Sequence, residues 1–378
     1  MNSRKTYALV NLSAYRQNLL YLAGKAYPAR LMAVVKADAY GHGAEQLSKV
    51  AEEAGVERLA VAFLEEGIKL RESGISLPIL VLNYVDNEEI LAAKEYGLTL
   101  SLCSSGQLDS ISGLNETLPD FEIAVDTGMR RLGMKWEESI KLYESAVANG
   151  IKITGAYTHF ATADEKDSDF VFEQSEEFRK FLQGIGKSRG RDFVVHISNS
   201  AGTIFLDNKD YDYVRVGIAT YGLQPSSVID YNLKPIIEWK TCISFLKKIR
   251  AGDSVSYGRT FVAGREMLVA TIPVGYADGF NRLLSNRGCV IIAGRRCRVL
   301  GRVCMDQFVV DVSHVDSKLS VGDEVVIIGS QKEETITAEE IAELCGTINY
   351  EVVCSITSRV PRIYWKGEDY ETPRHNRK

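Results

Sequence analysis

The run Leu31–Val35 (LMAVV), followed by Lys36–Gly43 (KADAYGHG), is the stretch from which the fold can be predicted. Five apolar residues in a row, without the alternation of a half-exposed strand, are typical of a strand buried on both faces of a parallel sheet. The lysine and glycines that follow indicate a polar turn at the end of this strand. The stretch therefore predicts the first strand of a β/α repeat.

Similar apolar runs recur along the chain, separated by amphipathic stretches with apolar residues at three- and four-residue spacing. The predicted strands are Leu31–Val35, Leu59–Ala62, Pro78–Leu82, Leu98–Leu102, Phe121–Val125, Ile153–Thr158, Phe193–Ile197 and Tyr213–Val216, and helical patterns between them include Ala44–Ala54, Asn87–Tyr96, Trp136–Asn149 and Phe170–Lys187. Eight strands alternating with helices predict a closed (β/α)8 TIM barrel over residues 13–233. An open doubly wound sheet is the alternative, but the first strand lacks the Gly-x-Gly-x-x-Gly turn of that fold.

After Leu233 the pattern changes to short β-branched segments between Gly, Asp and Arg turns. It predicts a mainly antiparallel β domain over residues 234–378. Its predicted strands are Ile236–Phe245, Met267–Val274, Cys289–Ile292, Phe308–Val312 and Glu324–Ile328, with one helix, Ala338–Leu344, that Thr337 caps. The opening segment Tyr7–Leu12 is not needed for the barrel, so we expect residues 1–12 to add a strand to this domain.

Composition limits the classes of function. The formal net charge is −5, from 45 Lys plus Arg against 50 Asp plus Glu, which argues against nucleic-acid binding. No apolar run approaches the roughly 20 residues of a membrane span, and the first residues lack the apolar stretch of a signal peptide. Seven cysteines without a Cys-x-x-Cys spacing indicate free thiols and no zinc ribbon. We expect a cytoplasmic enzyme that contacts neither nucleic acid nor membrane.

In a βα barrel the active site lies at the C-terminal ends of the strands. The residues at these ends are Lys36, Asp126–Arg131, His159, Ser198–Ser200, Arg215 and Gly217. They include no cluster of histidines and carboxylates at metal-ligand spacing, so we expect no metal. Lys36 is the most informative, because an amine that is desolvated in the barrel mouth has a lowered pKa and is nucleophilic. A lysine that extends into solvent is the ordinary alternative.

The segment Val34–Gly43 (VVKADAYGHG) resembles the pyridoxal-phosphate signature of the alanine racemase family. Further segments that resemble this family follow in order through nearly the whole chain: Asp126–Gly133, Tyr157–Asp164, Asn199–Ser200, Arg215–Ile218, Val255–Gly258, Gly275–Gly279, Gly301–Asp306 and Arg359–Arg362. The resemblance implies a fold-type III enzyme that uses pyridoxal 5′-phosphate and interconverts the enantiomers of alanine or serine by a two-base mechanism. It also implies a homodimer with shared active sites, and a supply of D-amino acid for peptidoglycan precursors.

The resemblance assigns roles to individual residues. Lys36 holds the cofactor as a Schiff base and then acts as one of two proton-transfer groups. Tyr257, in the β domain, is the other and comes from the partner subunit. His159 and Arg215 lie behind this tyrosine, and Arg215 faces the pyridine nitrogen. The other implied cofactor ligands are Tyr40, Asn199, Ser200, Gly217, Ile218 and Ser358; Arg131, Met305, Tyr276 and Asp306 bind the substrate, and Asp164 lines the entry channel together with Tyr276.

Two positions depart from the family pattern. Ala124 replaces a lysine that is often carbamylated, so something else must position Arg131. Ser358 replaces a tyrosine that contacts the phosphate and narrows the pocket. A small residue there resembles the serine racemases of the vancomycin-resistance type, in which a membrane domain is joined to the racemase domain. Such a fused domain in a longer protein is compatible with this sequence.

Two other functions compete with racemisation. A decarboxylase of the same fold type keeps the lysine and the barrel, but it normally has a longer chain and a different C-terminal substrate motif. A non-catalytic pyridoxal-phosphate carrier needs only the barrel and would end near residue 230. The segment Cys304–Asp306 and Tyr257 favour the racemase.

Overall fold

The computed structural model describes residues 5–114, 117–165, 168–186, 190, 192–225 and 232–367. These residues form two compact units. One lies within Tyr15–Ala39 and Gly43–Lys234, and the other within Met1–Ala14, Tyr40–His42 and Pro235–Lys378. The chain begins with strand β1 (Tyr7–Asn11) and helix α1 (Leu12–Ala26).

The first unit contains a closed barrel of eight parallel strands, which confirms the predicted TIM barrel. The strands, in order around the barrel, are β2 (Arg30–Val34), β3 (Arg58–Val61), β4 (Ile79–Val81), β5 (Thr99–Leu102), β6 (Phe121–Ala124), β7 (Ile153–Tyr157), β8 (Val194–His196) and β9 (Tyr213–Val216). The barrel closes between β2 and β9, where Met32 pairs with Arg215.

The helices of this unit alternate with the strands. They are α2 (Lys36–Gly41), α3 (Ala44–Glu53), α4 (Leu64–Glu72), α5 (Asn87–Glu95), α6 (Ser105–Ser112), α7 (Trp136–Ala148), α8 (Phe170–Ile185) and α9 (Ser200–Phe205). Asp86 and Ser104 begin α5 and α6 with side-chain oxygens that accept backbone N–H groups, as N-cap residues do. Lys187, the predicted end of α8, lies outside the described residues.

The barrel strands are buried on both faces, as their continuous apolar runs predict. Every residue of β3, β4, β6 and β9 is buried. Fully burying an apolar side chain such as Leu59 or Phe121 stabilises a fold by roughly 1.5–3 kcal/mol relative to leaving it exposed. The barrel strands β3, β6, β8 and β9 also bury charged or polar side chains, namely Arg58, Glu122, His196 and Arg215. These four residues belong to the site described below.

The second unit contains a ten-stranded, mainly antiparallel sheet and a two-stranded sheet. Its remaining strands are β10 (Ile237–Cys242), β11 (Phe245–Ile249), β12 (Ser254–Val255), β13 (Phe261–Val262), β14 (Met267–Ile272), β15 (Cys289–Ile292), β16 (Arg295–Leu300), β17 (Phe308–Asp311), β18 (Glu324–Gln331), β19 (Glu334–Ile336) and β20 (Arg362–Trp365). The large sheet has the order β11-β14-β17-β16-β15-β18-β10-β1-β20, with β19 on β18. β1 lies antiparallel to β10 and parallel to β20.

One strand prediction in this unit is wrong. Ile236–Phe245 is not a single strand, because the chain changes its partner near Ile243. β10 pairs with β18, whereas β11 pairs with β14. The apolar pattern runs through this change of partner and therefore did not reveal it.

The helices of the second unit are α10 (Ala338–Cys345) and α11 (Asn349–Cys354). Thr337 caps α10, and its hydroxyl oxygen accepts the N–H of Glu340 at 3.1 Å. A complete capping box would also need the Glu340 side chain to accept the backbone N–H of Thr337. The Glu340 carboxylate instead binds the Arg296 guanidinium.

The structure also bears on membrane, disulfide and metal chemistry. No helix within the described ranges is both long and apolar enough to cross a bilayer. All seven cysteines fall inside those ranges, and none forms a disulfide. Over the same residues, His, Cys, Asp and Glu side chains form no cluster of three or more that could hold a metal ion.

Candidate active site

Lys36 begins α2, and α2 is a left-handed helical turn. The φ angles of Ala37, Asp38, Ala39 and Tyr40 lie between 51° and 53°. A left-handed helical conformation costs roughly 1–2 kcal/mol for each non-glycine residue. Nothing in the sequence Lys-Ala-Asp-Ala-Tyr signals this conformation, so the sequence analysis missed it.

Hydrogen bonds hold the left-handed turn in place. Ala39 N donates to the Val35 carbonyl at 2.8 Å, and Ala37 N donates to Glu66 Oε1 at 2.6 Å. The second Glu66 oxygen accepts the N–H groups of Ala62 and Phe63. Glu66 therefore connects the turn that carries Lys36 to the start of α4.

We predict that Ala37→Val lowers the free energy of unfolding by more than about 1 kcal/mol, although Ala37 is exposed. A β-branched side chain is strongly disfavoured at positive φ. The control is Ala23→Val at an exposed position of the right-handed helix α1, which should cost no more than about 0.7 kcal/mol. Urea unfolding of both variants measures the difference. Equal losses would contradict a strained turn.

Arg215 is the centre of the hydrogen-bond network in the barrel. Its side chain is buried, and it donates to Nδ1 of His196 at 2.6 Å and to Nδ1 of His159 at 3.0 Å. It also donates to the carbonyls of Thr158 at 2.5 Å and Ile197 at 3.0 Å. Because a guanidinium only donates, both imidazole Nδ1 atoms must be unprotonated acceptors. The two histidines are therefore neutral.

Electrostatics favour the same protonation states. Burial lowers the pKa of His159 well below 6.5, and the positive charges of Arg215, Arg131 and Lys36 lower it further. The barrel thus brings together four residues that the sequence predicted for one site, namely Lys36, Arg131, His159 and Arg215. Burial likewise lowers the pKa of His196 to about 4. Burial also lowers the pKa of Arg215 to about 10, at which the guanidinium still carries its charge at neutral pH.

Glu122 and Arg58 complete the network through His196. His196 Nε2 lies 2.6 Å from Glu122 Oε2, and Glu122 Oε1 lies 2.5 Å from Arg58 Nη2. Burial alone would raise the pKa of the Glu122 carboxyl, but the charges and hydrogen bonds of Arg58 and His196 outweigh it and lower the pKa to about 2. The sequence analysis missed Glu122, His196 and Arg58. The signal that could have revealed them is a charged or polar residue within, or next to, an apolar strand.

We predict that the free energy of unfolding of the cofactor-free protein falls between pH 7 and pH 5. The unfolded chain protonates His196 near pH 6.5, whereas the folded chain does so only near pH 4, so the contribution is present above pH 6.5 and is lost as the pH falls. For one such histidine the loss at pH 5 is about 2 kcal/mol. Urea unfolding at both pH values tests this. His196→Gln should reduce the pH dependence, whereas His314→Gln, at an exposed histidine, should retain it.

A group of donors lies at the ends of β8 and β9. Ser200 begins α9, and its hydroxyl oxygen accepts the N–H of Gly217 at 3.0 Å, which leaves the hydroxyl proton available. Gly217 is followed by the 3-10 turn Ile218–Tyr221. Asn199 is the N-cap of α9 and accepts the N–H of Gly202 at 2.9 Å. Its side chain is thus committed to the helix end, next to Ser200.

The loop after β6 carries the two neighbouring arginines. Arg130 has a φ of 57° and forms an ion pair with Asp126 at 3.4 Å, so it has the ordinary surface role. Arg131 is exposed, and its charge contributes to the electrostatics of His159. Ala124, at the end of β6, is buried. Asp164 is exposed in the loop after β7.

In the second unit, three segments that were predicted to bind substrate or cofactor converge. Tyr276 N donates to the Cys304 carbonyl at 3.1 Å, and Thr357 N donates to the Asp278 carbonyl at 3.1 Å. Gly275 permits this convergence, because a Cβ there would lie 2.3 Å from the Met305 carbonyl oxygen. The side chains of Tyr276 and Met305 remain exposed, by 42% and 53%.

Ser358 and Asp306 lie on these segments. Ser358 is exposed, and the turn that carries it is held by its neighbour Arg359, which binds Asp306 at 2.9 Å and Asp278 at 3.4 Å. The Asp306 carboxylate is therefore engaged by Arg359. The contact of Asp306 with substrate stays a prediction.

Tyr257 begins a short 3-10 turn after β12, and 70% of its surface is exposed. Ser256, which precedes it, donates a hydrogen bond from its hydroxyl to the Arg302 carbonyl at 2.5 Å. This bond fixes the turn beside the Arg302–Met305 segment. Tyr40 belongs to the same unit, is buried, and has its ring centroid 5.9 Å from that of Tyr350.

The donor set of the barrel fits pyridoxal phosphate. Lys36 would supply an amine for the aldehyde, and Arg215 would supply a charged donor for the ring nitrogen. Ser200 supplies a hydroxyl for the phosphate.

Comparison with known proteins agrees with this chemistry. The family model for the alanine racemase N-terminal domain matches residues 10–225, and that for the C-terminal domain matches residues 236–364. The alanine racemase of Halothermothrix orenii is 42% identical over 374 residues, which cover 96% of this chain and 97% of the relative. That of Carboxydothermus hydrogenoformans is 43% identical over 369 residues, which cover 96% and 100%.

Solved structures agree as well. The alanine racemase from Bacillus anthracis with bound L-Ala-P has a TM-score of 0.91 at 35% identity, and the match covers 97% of this chain and 96% of that one. The alanine racemase from D-cycloserine-producing Streptomyces lavendulae has a TM-score of 0.91 at 36% identity, with 97% and 99% covered.

The barrel and its site define an amino-acid racemase that depends on pyridoxal phosphate. More specifically, the chain belongs to the alanine racemase family.

Proposed function

We propose that this protein interconverts L- and D-alanine by a two-base mechanism and so supplies D-alanine for peptidoglycan precursors. The observation that carries the proposal is the position of Lys36 at the end of β2, where it begins a left-handed turn whose backbone Glu66 holds. The charges of Lys36, Arg131 and Arg215 all act on His159, which supports one compact site. A decarboxylase or a carrier has no such support, since the matched C-terminal domain is that of alanine racemases.

When bound, pyridoxal phosphate withdraws electrons from the substrate and makes its α-proton removable. The residues of the chain decide where that proton goes. Lys36 holds the cofactor covalently and then, as a free amine, accepts or returns the proton on one side of the substrate Cα. Its rigid support matters because proton transfer requires hydrogen-bond distance.

Tyr257 of the partner subunit is the second proton-transfer group and acts on the opposite side of Cα. Its 70% exposure within a single chain supports a role at a surface that a second copy completes. This arrangement makes the functional enzyme a homodimer with shared active sites. Met305 and Tyr276, which are also exposed on this unit, bind the substrate from the same side.

Arg215 stays positively charged and His159 stays neutral at neutral pH. Arg215 would hold the pyridine side of the cofactor, where a guanidinium would discourage protonation of the ring nitrogen and so limit side reactions. His159 stays neutral because burial and three nearby cations hold its pKa down. It can therefore accept from Arg215 through Nδ1 and donate through Nε2–H toward the tyrosine.

The remaining assignments concern the residues that bind the cofactor phosphate and the substrate carboxylate. The Ser200 hydroxyl, the backbone N–H groups of Gly217 and Ile218, and the Tyr40 hydroxyl bind the phosphate, and Asn199 contributes by capping α9. Arg131 binds the substrate carboxylate as a planar, always-charged donor. Asp306 contributes through Arg359, and Asp164 lines the entry channel.

We predict that the unmodified protein forms D-alanine from L-alanine and exchanges the α-proton of both enantiomers in heavy water. Tyr257→Phe should reduce racemisation by about 10²–10⁴-fold, the usual contribution of an acid/base group. Exchange of one enantiomer should persist, because Lys36 still serves its side of Cα. Chiral chromatography and proton NMR provide the two measurements.

The control for this experiment is Tyr27→Phe at a surface tyrosine, which should leave both measurements unchanged. Borohydride should still fix a pyridoxyl group on Lys36 in Tyr257→Phe. Exchange of both enantiomers at the unmodified rate would exclude Tyr257 as a base. A lack of D-alanine formation by the unmodified protein would overturn the proposed function itself.

We further propose that serine is a second substrate, as in the vancomycin-resistance type of racemase. Ser358 stands where the family pattern has a tyrosine, and its turn is fixed by the Arg359 ion pairs. A hydroxymethyl group in place of a phenol ring enlarges the pocket and offers a hydrogen bond to a polar side chain.

We predict that Ser358→Tyr lowers the ratio of the kcat/KM for serine to that for alanine by about tenfold, since small changes of pocket size discriminate by this order. Ser317→Tyr, at an exposed position away from these segments, is the matched control. Racemisation rates with both amino acids give the ratio. An unchanged ratio in Ser358→Tyr would refute the pocket argument.

We assign the protein to the cytoplasm. Seven cysteines without a disulfide support a reducing compartment.

A further inference from the structure

A continuous chain of hydrogen bonds crosses the barrel from β3 to β9. It runs from Arg58 to Glu122, to His196 and to Arg215, with donor–acceptor distances of 2.5, 2.6 and 2.6 Å. The side chains of Glu122 and His196 are fully buried. Gly155 leaves space for this chain, because a Cβ on it would lie 3.2 Å from Glu122 Cδ.

The positions of the protons in this chain follow from the donors. Arg215 donates to His196 Nδ1, so that nitrogen carries a lone pair. A neutral imidazole then carries its proton on Nε2 and donates it to Glu122 Oε2. The other Glu122 oxygen accepts from Arg58, so both oxygens of the carboxylate are engaged. Only an acceptor at position 122 is compatible with His196 as an acceptor for Arg215.

We propose that Glu122 is a positioning residue for the racemase reaction: it fixes the His196 tautomer and thereby orients the Arg215 guanidinium. Arg215 contacts otherwise only carbonyl oxygens and the His159 imidazole among the bonds described for it. The link to catalysis rests on the proposed role of Arg215 toward the cofactor. The link to the tautomer rests on the bond chain alone.

Glu122→Gln tests the proposal without a large change of shape. An amide has one oxygen, but Arg58 and His196 both donate toward position 122. The permanently charged Arg58 should take that oxygen, which turns the amide NH2 toward His196 Nε2. Either the His196 proton moves to Nδ1, where it faces the N–H donor of Arg215, or a buried polar group is left without a hydrogen bond.

The measurement is the tautomer of His196 in holoenzyme labelled with [15N]histidine; the chain has five histidines, and the signal that His196→Gln removes is that of His196. The unmodified enzyme should have His196 protonated on Nε2. In Glu122→Gln this signature should be lost and the absorbance maximum of the bound cofactor should shift. The value of kcat should fall by about tenfold or more, the effect of one lost hydrogen bond, while KM changes less.

A matched pair of double variants isolates the acceptor from the charge. Arg58→Met/Glu122→Gln and Arg58→Met/Glu122→Met both remove the buried ion pair, a replacement that proteins often tolerate. In the first, the amide oxygen is free to face His196, so the Nε2 tautomer, the absorbance and kcat should return toward the unmodified values. The second has no acceptor and should resemble Glu122→Gln. This pair remains informative if Glu122→Gln does not fold.

The proposal is overturned if Glu122→Gln keeps the Nε2 tautomer, or if the two double variants give the same tautomer. Because NMR reports on the tautomer independently of turnover, the result does not depend on the proposed activity. A protein that changes its tautomer as expected but fails to racemise alanine would support the bond chain and refute the function.

Discussion

Burial of the Arg215 guanidinium is the constraint on which the polar interior of the barrel depends. A charge removed from water must be hydrogen-bonded, because an uncompensated one costs several kcal/mol. Arg215 satisfies this requirement with carbonyls and with Nδ1 of two histidines. Since it can only donate, both imidazoles are acceptors, and the tautomer of His196 in turn requires an acceptor at Glu122. His196 thus lies between a donor, Arg215, and an acceptor, Glu122, and the pair of them is compatible with only one neutral tautomer.

The second constraint is local strain next to Lys36. Four non-glycine residues with positive φ store several kcal/mol, and such strain persists only where neighbouring structure holds it. Here the holding group is Glu66, whose carboxylate serves both the turn and the start of α4. The amine is therefore attached to a rigid element, which suits a reaction that requires defined proton-transfer distances.

The parts of this molecule that could be predicted from sequence are those with a local signal. Barrel strands such as Ile79–Val81 are buried on both faces and read as unbroken apolar runs. Strand ends then located Lys36, His159 and Arg215, since barrel sites lie there. The left-handed turn gave no signal, because Ala, Asp and Tyr have no strong preference for positive φ. The partners of Glu122 lie on other strands, and pairing across a barrel is not encoded by neighbouring residues.

Protonation in the barrel also explains why the second base should come from the other unit. Of the titratable groups named at the barrel mouth, Arg215 remains charged, and His159 has a pKa far below 6.5 and uses Nδ1 to accept from Arg215. Neither can supply a proton readily at neutral pH, and the Asp126 carboxylate is engaged by Arg130 and by backbone N–H groups. In the proposed mechanism Lys36 is therefore the acid/base group of the barrel. The proposed two-base mechanism requires a second group on the opposite side of Cα, because proton transfer needs hydrogen-bond reach. In the mechanism proposed above, the exposed phenol of Tyr257, on the β-domain unit, is the group that would meet that requirement when a partner chain presents it.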